Sequence, residues 1–184
     1  ESRGLGDVYK RQPFCTMMLA DMGANVIKIE VPKGGDDTRS YPPFRAKNLN
    51  GERESVYFAN INRNKKGITL NLKAPEGKEI FKELVKKADI VVENYRPGVM
   101  DKLGLGYDVL KEINPRIIYA AVSGFGCYGP YHLRPGYDIL AQAMGGMMSI
   151  TGSKGGEPTR AGSALGDILG GLHVTIGILA AVNA

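Results

Sequence analysis

One carboxylate, Asp167, lies in a run of residues that are otherwise small or apolar, GSALGDILGGLH at 162–173. A carboxylate can act as a nucleophile when a site positions it against an activated acyl group. The small neighbours would let a substrate carbonyl approach, and free N–H groups at the start of a helix would hold the carboxylate ionised and oriented. The same position also fits a plain helix N-cap. The residue types alone leave both interpretations open.

Two further polar residues, Asn94 and Tyr95, come closely after the apolar run IVV. Asn94 could hydrogen-bond a polar ligand, and Tyr95 could offer a ring face or a hydroxyl. An asparagine at the start of a loop is equally typical of a turn that it merely caps. These residues are therefore candidates for a binding site and not yet evidence of one.

The glycines of GFGCYG, at 124–129, match the G-x-G-x-x-G spacing of dinucleotide sites. Pro130 comes next, where such a site would open a helix, and no acidic residue ends a second strand downstream. The spacing therefore does not predict a nicotinamide site. We expect a loop that lets the backbone approach a bulky ligand.

Helices and strands that would position these residues alternate along the chain. The predicted helices are 14–23, 74–88, 98–103, 107–115 and 167–182, and the predicted strands are 25–30, 67–73, 88–95 and 116–126. This alternation favours an α/β fold with a doubly wound, mostly parallel, Rossmann-like sheet and helices on both faces. Ligands of such sheets bind at the carboxyl ends of the strands.

Composition narrows the function classes. The 184 residues are 43% hydrophobic and 23% charged, which is typical of a globular chain, and the net charge of +5 is dispersed. This favours an anionic small ligand over nucleic acid.

Cys15 and Cys127 lack metal or disulfide spacing, so we expect no metal and a cytoplasmic protein. The final apolar run is shorter than a membrane span, and we expect a buried helix there and no membrane.

The first twelve residues, ESRGLGDVYKRQ, do not match the rest of the chain. They show no apolar period and give way abruptly to PFCTMMLADMGANVIKIE. We expect 1–12 to be a non-native leader of the kind that sequencing adapters leave, and 13–184 to be the folded part. The chain stops at AAVNA within an apolar helical pattern that has no cap, so we expect a domain truncated at its carboxyl end.

Several motifs together resemble the class III CoA-transferases of the CaiB/BaiF type, the family that includes formyl-CoA:oxalate CoA-transferase. They are PFCTMMLADMGANVIKIE, NINRNKKGITLNLKAPEGKE, ADIVVENYRPG, RPGYDILAQAMGG and GSALGDILGGLHVTIGILAAV. Their order is that of the amino-terminal half of a family member, and they span about residues 13–184. The resemblance implies the incomplete large domain of such an enzyme.

The resemblance also implies a reaction. CoA would move from an acyl-CoA donor to a small carboxylic acid, with acyl-CoA as substrate and no tightly bound cofactor. Asp167, the aspartate of the LGD motif, would attack the thioester and pass through an acyl-aspartyl anhydride and an aspartyl-CoA thioester. The full-length protein would be an interlocked homodimer, and a chain of about half that length is expected to be inactive by itself.

Six residues match positions that contact CoA in the family. They are Leu70 and Lys73 on the adenine side, Asn94 and Tyr95 in the groove, Lys102 at a phosphate and Tyr137 near the nucleophile. One position departs from the family, because Val31 comes after Glu30 where other members carry a basic residue. Lys33 and Arg39 are the candidate substitutes.

Two alternatives stand beside the transferase. An α-methylacyl-CoA racemase-type isomerase of the same superfamily uses a histidine where this chain has Tyr137. A phenol with a pKa near 10 is a poor base for a carbon acid at neutral pH, which disfavours this alternative. The second alternative is a CoA- or nucleotide-binding module without chemistry.

Overall fold

The structure, a computed structural model, describes residues 11–45, 51 and 53–184. Within these residues the chain forms seven α-helices, six short strands and two 3-10 helices. In chain order they are α1 (Arg11–Asp21), β1 (Val26–Glu30), a 3-10 helix (Asp37–Ser40), β2 (Phe44–Arg45), β3 (Glu54–Ser55), α2 (Val56–Ile61), β4 (Lys65–Thr69), α3 (Pro75–Val85), β5 (Ile90–Glu93), α4 (Val99–Lys102), α5 (Tyr107–Ile113), β6 (Ile118–Ala121), α6 (Asp138–Met144), a second 3-10 helix (Met147–Ile150) and α7 (Leu165–Val182).

A glycine turn joins α1 to β1, as the sequence predicts. Gly23 has a φ of 101°, a left-handed conformation that favours glycine. Its N–H donates to the Ala20 carbonyl, and the Ala24 N–H donates to the Leu19 carbonyl, each over 3.0 Å. These bonds close the last turn of α1 and direct the chain into β1.

The strands pair in three separate sets. β1 runs parallel to β4, β5 runs parallel to β6, and β2 pairs with β3 in antiparallel orientation. The parallel pairs and alternating helices agree with the predicted α/β class. Among the described strands, however, the pairing does not join β1–β4 to β5–β6, so it does not establish one doubly wound, Rossmann-like sheet.

Two apolar clusters hold these elements together. The larger lies among β4, the α3 to α5 helices and the start of β6, and its buried members are Leu70, Phe81, Val85, Met100, Leu105, Leu110 and Ile117. The smaller joins α1 to α7 through Cys15, Leu19 and Ile178. Because α7 carries Asp167, the smaller cluster sets the position of that carboxylate relative to α1.

Helix α7 is buried along one stripe only. Asp167, Gly171, Thr175 and Ile178 are its buried residues, whereas Ile176 is 62% exposed. The predicted burial of this helix therefore holds for one stripe, because helical periodicity turns the opposite face away from α1. By length and composition alone, α7 is the one helix in the described part of the chain that could cross a membrane, a test that core helices of soluble proteins also pass.

Candidate active site

Asp167 is the third residue of α7 and is only 6% exposed. The N-cap position is occupied by Ala164, whose side chain makes no capping hydrogen bond. The interpretation of Asp167 as a plain N-cap is therefore wrong. Its place in the first helical turn still puts the carboxylate at the positive end of the helix dipole, which favours the ionised form.

Arg11 is the charged partner of this carboxylate. The Arg11 Nε donates to Asp167 Oδ1 over 2.7 Å, and Arg11 Nη2 donates to the Gly136 carbonyl over 2.5 Å. The Arg11 side chain is 4% exposed, so the ion pair is buried. One guanidinium thus connects α1, the first turn of α7 and the loop that precedes α6.

Arg11 lies within the leader predicted to be foreign to the protein. Helix α1 nevertheless begins at Arg11, two residues before the predicted start of the folded part. The origin of residues 1–12 stays a prediction. Residues 1–10 lie outside the described part of the chain.

A cavity of about 240 Å³ lies at the start of α7. Its lining comprises Arg11, the last residue of β6 and the loop after it (residues 121–124 and 126), Ala141 of α6, and Gly166, Gly170 and Val174 of α7. Sites for drug-sized ligands occupy roughly 300–1,000 Å³, so this space is too small for a whole dinucleotide-like cofactor. It fits a short acyl group or a small carboxylic acid.

Ser123 presents a hydroxyl in this cavity lining. Its Oγ is buried and has no hydrogen-bond partner among the described residues. A buried hydroxyl without a partner is costly unless a ligand or water satisfies it. Sequence reasoning missed Ser123 because a serine in a strand-ending SGFG segment has no distinctive spacing.

Two glycines bring the cavity loops into contact. A Cβ placed on Gly124 would lie 2.1 Å from the Gly136 Cα, and a Cβ placed on Gly136 would lie 2.1 Å from the Gly124 Cα. The loop after β6 and the loop before α6 therefore touch through their backbones, and the approach of GFGCYG to a bulky ligand stays a prediction. The segment opens no helix in the structure, in agreement with the failed dinucleotide pattern.

Replacing Gly124 by alanine is expected to destabilise the chain by about 2 kcal/mol, because the added methyl group overlaps backbone atoms that cannot rotate away. Urea unfolding measures the change. Gly177→Ala in α7 is the matched control, since a Cβ there meets nothing within 4 Å, and it should stabilise the helix by up to about 1 kcal/mol. Equal effects of the two substitutions would contradict the contact.

Asp138 caps α7 from a neighbouring helix. Its Oδ1 accepts the Gly166 N–H over 2.9 Å, one residue before Asp167 in the sequence. Tyr137, predicted to lie near the nucleophile, is the N-cap residue of α6 and directly precedes Asp138. The structure thus brings Tyr137 into the same α6–α7 junction as Asp167. Sequence reasoning missed Asp138, although its position after Tyr137 in the PGYD motif was a usable signal.

The predicted groove residues Asn94 and Tyr95 lie directly after the carboxyl end of β5. Both are partly buried, and the Tyr95 ring packs against the larger apolar cluster. The Tyr95 N–H donates to Glu93 Oε2 over 2.7 Å, and the Tyr119 hydroxyl donates to Glu93 Oε1 over 3.3 Å. Burial raises the pKa of Glu93 and that of Tyr95. Glu93 therefore anchors the loop on which both predicted contacts lie.

The remaining predicted contacts differ in exposure. The Leu70 side chain is buried in the larger apolar cluster, and its N–H donates to the Glu30 carbonyl over 2.8 Å. Lys73 and Lys102 are exposed, with Lys102 in the last turn of α4. Exposed ammonium groups are available to phosphate, but the two lysines are not part of the buried setting of Asp167. Their roles stay predictions.

Arg39, a candidate substitute for the basic residue absent after Glu30, is engaged in an ion pair. Its Nε and Nη2 donate to the two carboxylate oxygens of Glu30, each over 2.8 Å, and its guanidinium lies 3.8 Å from the centre of the Phe58 ring. Burial works against the charged form of Glu30, but the Arg39 hydrogen bonds hold the pKa of Glu30 below its usual range. Arg39 therefore has a structural partner already.

The described residues contain no group of three or more His, Cys, Asp or Glu side chains arranged as metal ligands. The polar side-chain groups at or beside the cavity are instead the Asp167 carboxylate, the Arg11 guanidinium and the Ser123 hydroxyl. Such a set can bind and activate an acyl group or a carboxylate.

Comparison with known proteins gives one consistent family. The profile of "CoA-transferase family III" matches residues 8–184. An acetyl-CoA:oxalate CoA-transferase of Acetobacter aceti is 49% identical over 173 residues, and an acyl-CoA transferase of Fusarium pseudograminearum is 51% identical over 175 residues. Each alignment covers 94% of this chain, but only 43% and 38% of the respective relative.

A solved structure gives the same result. The crystal structure of a CAIB/BAIF family protein from Brucella suis superposes with a TM-score of 0.90 at 44% identity, covering 95% of this chain and 46% of that one. The chain thus spans less than half the length of the relatives that it matches. The match over nearly the whole chain agrees with the predicted correspondence to the amino-terminal part of such proteins.

Proposed function

Since the chain belongs to CoA-transferase family III, we propose that it forms part of an enzyme that moves CoA from an acyl-CoA donor to a small carboxylic acid, with Asp167 as the nucleophile. The observation that carries this proposal is a buried carboxylate in the first turn of α7, whose neighbours Gly166 and Gly170 line a cavity of about 240 Å³. The cavity volume suits an acyl group or a small acid.

The proposed reaction begins with bond exchange at the thioester. An Asp167 oxygen bonds to the acyl carbon as the C–S bond breaks, and the electron pair leaves on sulfur as the CoA thiolate. The thiolate then attacks the aspartyl carbonyl of the anhydride. The donor acid departs as a carboxylate, and Asp167 is left as a CoA thioester.

The second half repeats this exchange with the acceptor. The acceptor carboxylate attacks the aspartyl thioester and releases CoA thiolate, giving a new anhydride. The thiolate attacks the acyl carbon of the acceptor, which forms the product acyl-CoA and restores the Asp167 carboxylate. The positive end of the α7 dipole would stabilise the carboxylate that is regenerated.

Residues toward the carboxyl ends of the strands would hold the rest of CoA. We place Asn94 and Tyr95 along the coenzyme, because both come directly after β5, on the loop where Glu93 accepts the Tyr95 N–H. Lys73 and Lys102 would pair with phosphate groups as exposed cations. Leu70, whose side chain is buried, would contribute backbone beside the adenine, and Tyr137 would border the acyl group.

The substrates are proposed by class only. Relatives carry the names acetyl-CoA:oxalate CoA-transferase and succinyl-CoA:glutarate CoA-transferase, the latter from Homo sapiens at 47% identity. Oxalate and glutarate are both small dicarboxylates, and the cavity volume suits acids of this size. We further propose a cytoplasmic homodimer for the whole protein.

Trapping tests the nucleophile directly. Because the chain spans less than half of its relatives, the assay uses the whole protein, incubated with acetyl-CoA or succinyl-CoA and then with hydroxylamine. We expect a hydroxamate at Asp167, identified by peptide mass spectrometry, and transfer of CoA to oxalate or glutarate. A hydroxamate at Asp138 instead, or transfer without any modified carboxylate, would contradict the proposal.

The racemase alternative predicts a different reaction of the same whole protein, which is measured by deuterium exchange. A racemase exchanges the α-proton of a 2-methylacyl-CoA with solvent deuterium without any acceptor acid. Exchange at a rate equal to CoA transfer would favour that alternative. Binding of CoA without exchange, transfer or trapping would favour a binding module.

A further inference from the structure

We propose that Gln142 is a positioning residue for the nucleophile, fixing the segment that leads into α7 and with it the position of Asp167 beside the cavity. The proposal rests on the proposed function, because it assigns Gln142 a role in the chemistry of Asp167. It is carried by a hydrogen-bond network that spans α6 and residues 161–166.

The Gln142 amide is buried and fully used. Gln142 is 2% exposed, and its Oε1 accepts the Ala161 N–H over 2.8 Å. Its Nε2 donates to Asp138 Oδ2 over 2.8 Å and to the Ser163 carbonyl over 3.2 Å. The three partners thus use the carbonyl oxygen of the glutamine amide as an acceptor and both of its N–H groups as donors. No charged or apolar residue of similar size supplies both kinds of group.

The network continues to the helix that carries the nucleophile. Asp138 receives the Gln142 Nε2 on one oxygen and the Gly166 N–H on the other. Because Ala164 at the N-cap position has no side-chain acceptor, Asp138 does the capping, and Gln142 orients Asp138. The backbone is therefore held at 161, 163 and 166, directly before Asp167.

Close packing makes the position of α7 sensitive to this network. A Cβ on Gly166 would lie 2.8 Å from the Ala141 Cβ and 3.3 Å from Asp138 Oδ1. The backbones of α6 and α7 thus approach closely at the first turn. A small rotation of the Asp138 carboxylate would move the Gly166 N–H, and with it the next residue, Asp167.

The test is Gln142→Glu in the whole protein. The introduced group keeps an acceptor for Ala161, but as a carboxylate it cannot donate to Asp138 or Ser163. Asp138 is the ionisable side chain in contact with this amide, while Asp167 of α7 and Arg11 of α1 pair with each other. The introduced carboxyl group and Asp138 would be in contact, and two such groups keep a shared proton to higher pH than an exposed glutamate keeps its own. The protonated group can donate a hydrogen bond, so the bond to Asp138 is restored as the pH falls.

We expect kcat of Gln142→Glu to be about tenfold or more below the parent at about pH 8 and to recover most of that loss at about pH 5.5, each relative to the parent at the same pH. The KM for acyl-CoA should stay within about twofold of the parent, because the proposed contacts to CoA other than Tyr137 lie after β4, after β5 and on α4. Gln142→Leu, which cannot donate at any pH, should show no recovery. A parallel pH profile for parent and Gln142→Glu, or a change in KM alone, would overturn the inference.

Hydrogen exchange gives a second measurement that does not depend on the chemistry. At about pH 8, amide exchange in the peptide covering 161–167 should rise about tenfold in Gln142→Glu, while exchange in α3 stays at the parent rate. Unchanged exchange at 161–167, or an equal rise in α3, would contradict the positioning role. A parent enzyme that transfers CoA without a hydroxamate at Asp167 contradicts the proposed function instead, so the two failures are distinguishable.

Discussion

Replacing Asp167 by asparagine is expected to lower the rate of CoA transfer by the whole protein about a thousandfold or more, the scale on which the loss of a covalent nucleophile acts. An amide has the shape of the carboxylate but not its charge, and it does not form an anhydride with an acyl group. The hydroxylamine-trapped adduct should vanish together with the activity. The measurement is the initial rate of acyl-CoA formation from the acceptor acid.

Two variants separate chemistry from folding in this experiment. Asp167→Glu keeps a carboxylate but moves it by one methylene group, so it should retain a trace of trapping at the new position. Asp108→Asn removes an exposed first-turn acid from α5 and should leave the rate unchanged. If Asp167→Asn kept a tenth or more of the parent rate, Asp167 would not be the nucleophile.

Replacing Arg11 by alanine is expected to expose Asp167 and to destabilise the 184-residue chain by about 3 kcal/mol, because removing one partner of a buried ion pair leaves the other without compensation. Removing the long side chain also enlarges the cavity that it lines. Labelling of Asp167 by a water-soluble carbodiimide and an amine should therefore become about tenfold faster or more, because the carboxylate is no longer buried under Arg11.

The matched control is Arg63→Ala. Arg63 pairs with Asp21 at the other end of α1, where both side chains are substantially exposed. Exposed ion pairs contribute little to the free energy of unfolding, so this variant should keep both the parent stability and the parent labelling rate at Asp167. The experiment uses urea unfolding and quantitative peptide mass spectrometry on the 184-residue chain. Unchanged labelling in Arg11→Ala would show that Arg11 does not cover the carboxylate.

Local patterns were sufficient to predict most elements. The apolar run before Asn94 marked β5, and the glycine at 23 marked the end of α1. The strand predicted at 67–73 lies earlier in the chain, since β4 spans Lys65–Thr69. After it, the Asn71 side chain accepts the Lys73 N–H over 3.1 Å. When an asparagine side chain accepts the backbone N–H of the residue two positions later, the chain bends away from the strand direction. Alternation of apolar residues alone did not reveal this turn.

Long-range contacts were not predictable in the same way. Asp167 was singled out by its small neighbours and assigned as the nucleophile from the family resemblance of its LGD motif, but nothing near it in sequence indicates Arg11 or Asp138 as partners. Periodicity likewise indicated that α7 is a helix, yet it did not indicate which face α1 would cover. Such information lies in the packing of distant segments, for which one sequence carries no local pattern.

The Arg11–Asp167 bond joins residues 156 positions apart, and this separation has a consequence for synthesis. A ribosome releases α1 long before α7 exists, so the amino-terminal helix emerges without the partner that covers its inner side. Asp167 can reach its final position against α1 only after α7 has been translated. The Arg11–Asp167 contact therefore forms long after α1 is made, and nascent chains arrested before α7 should leave α1 accessible to proteases.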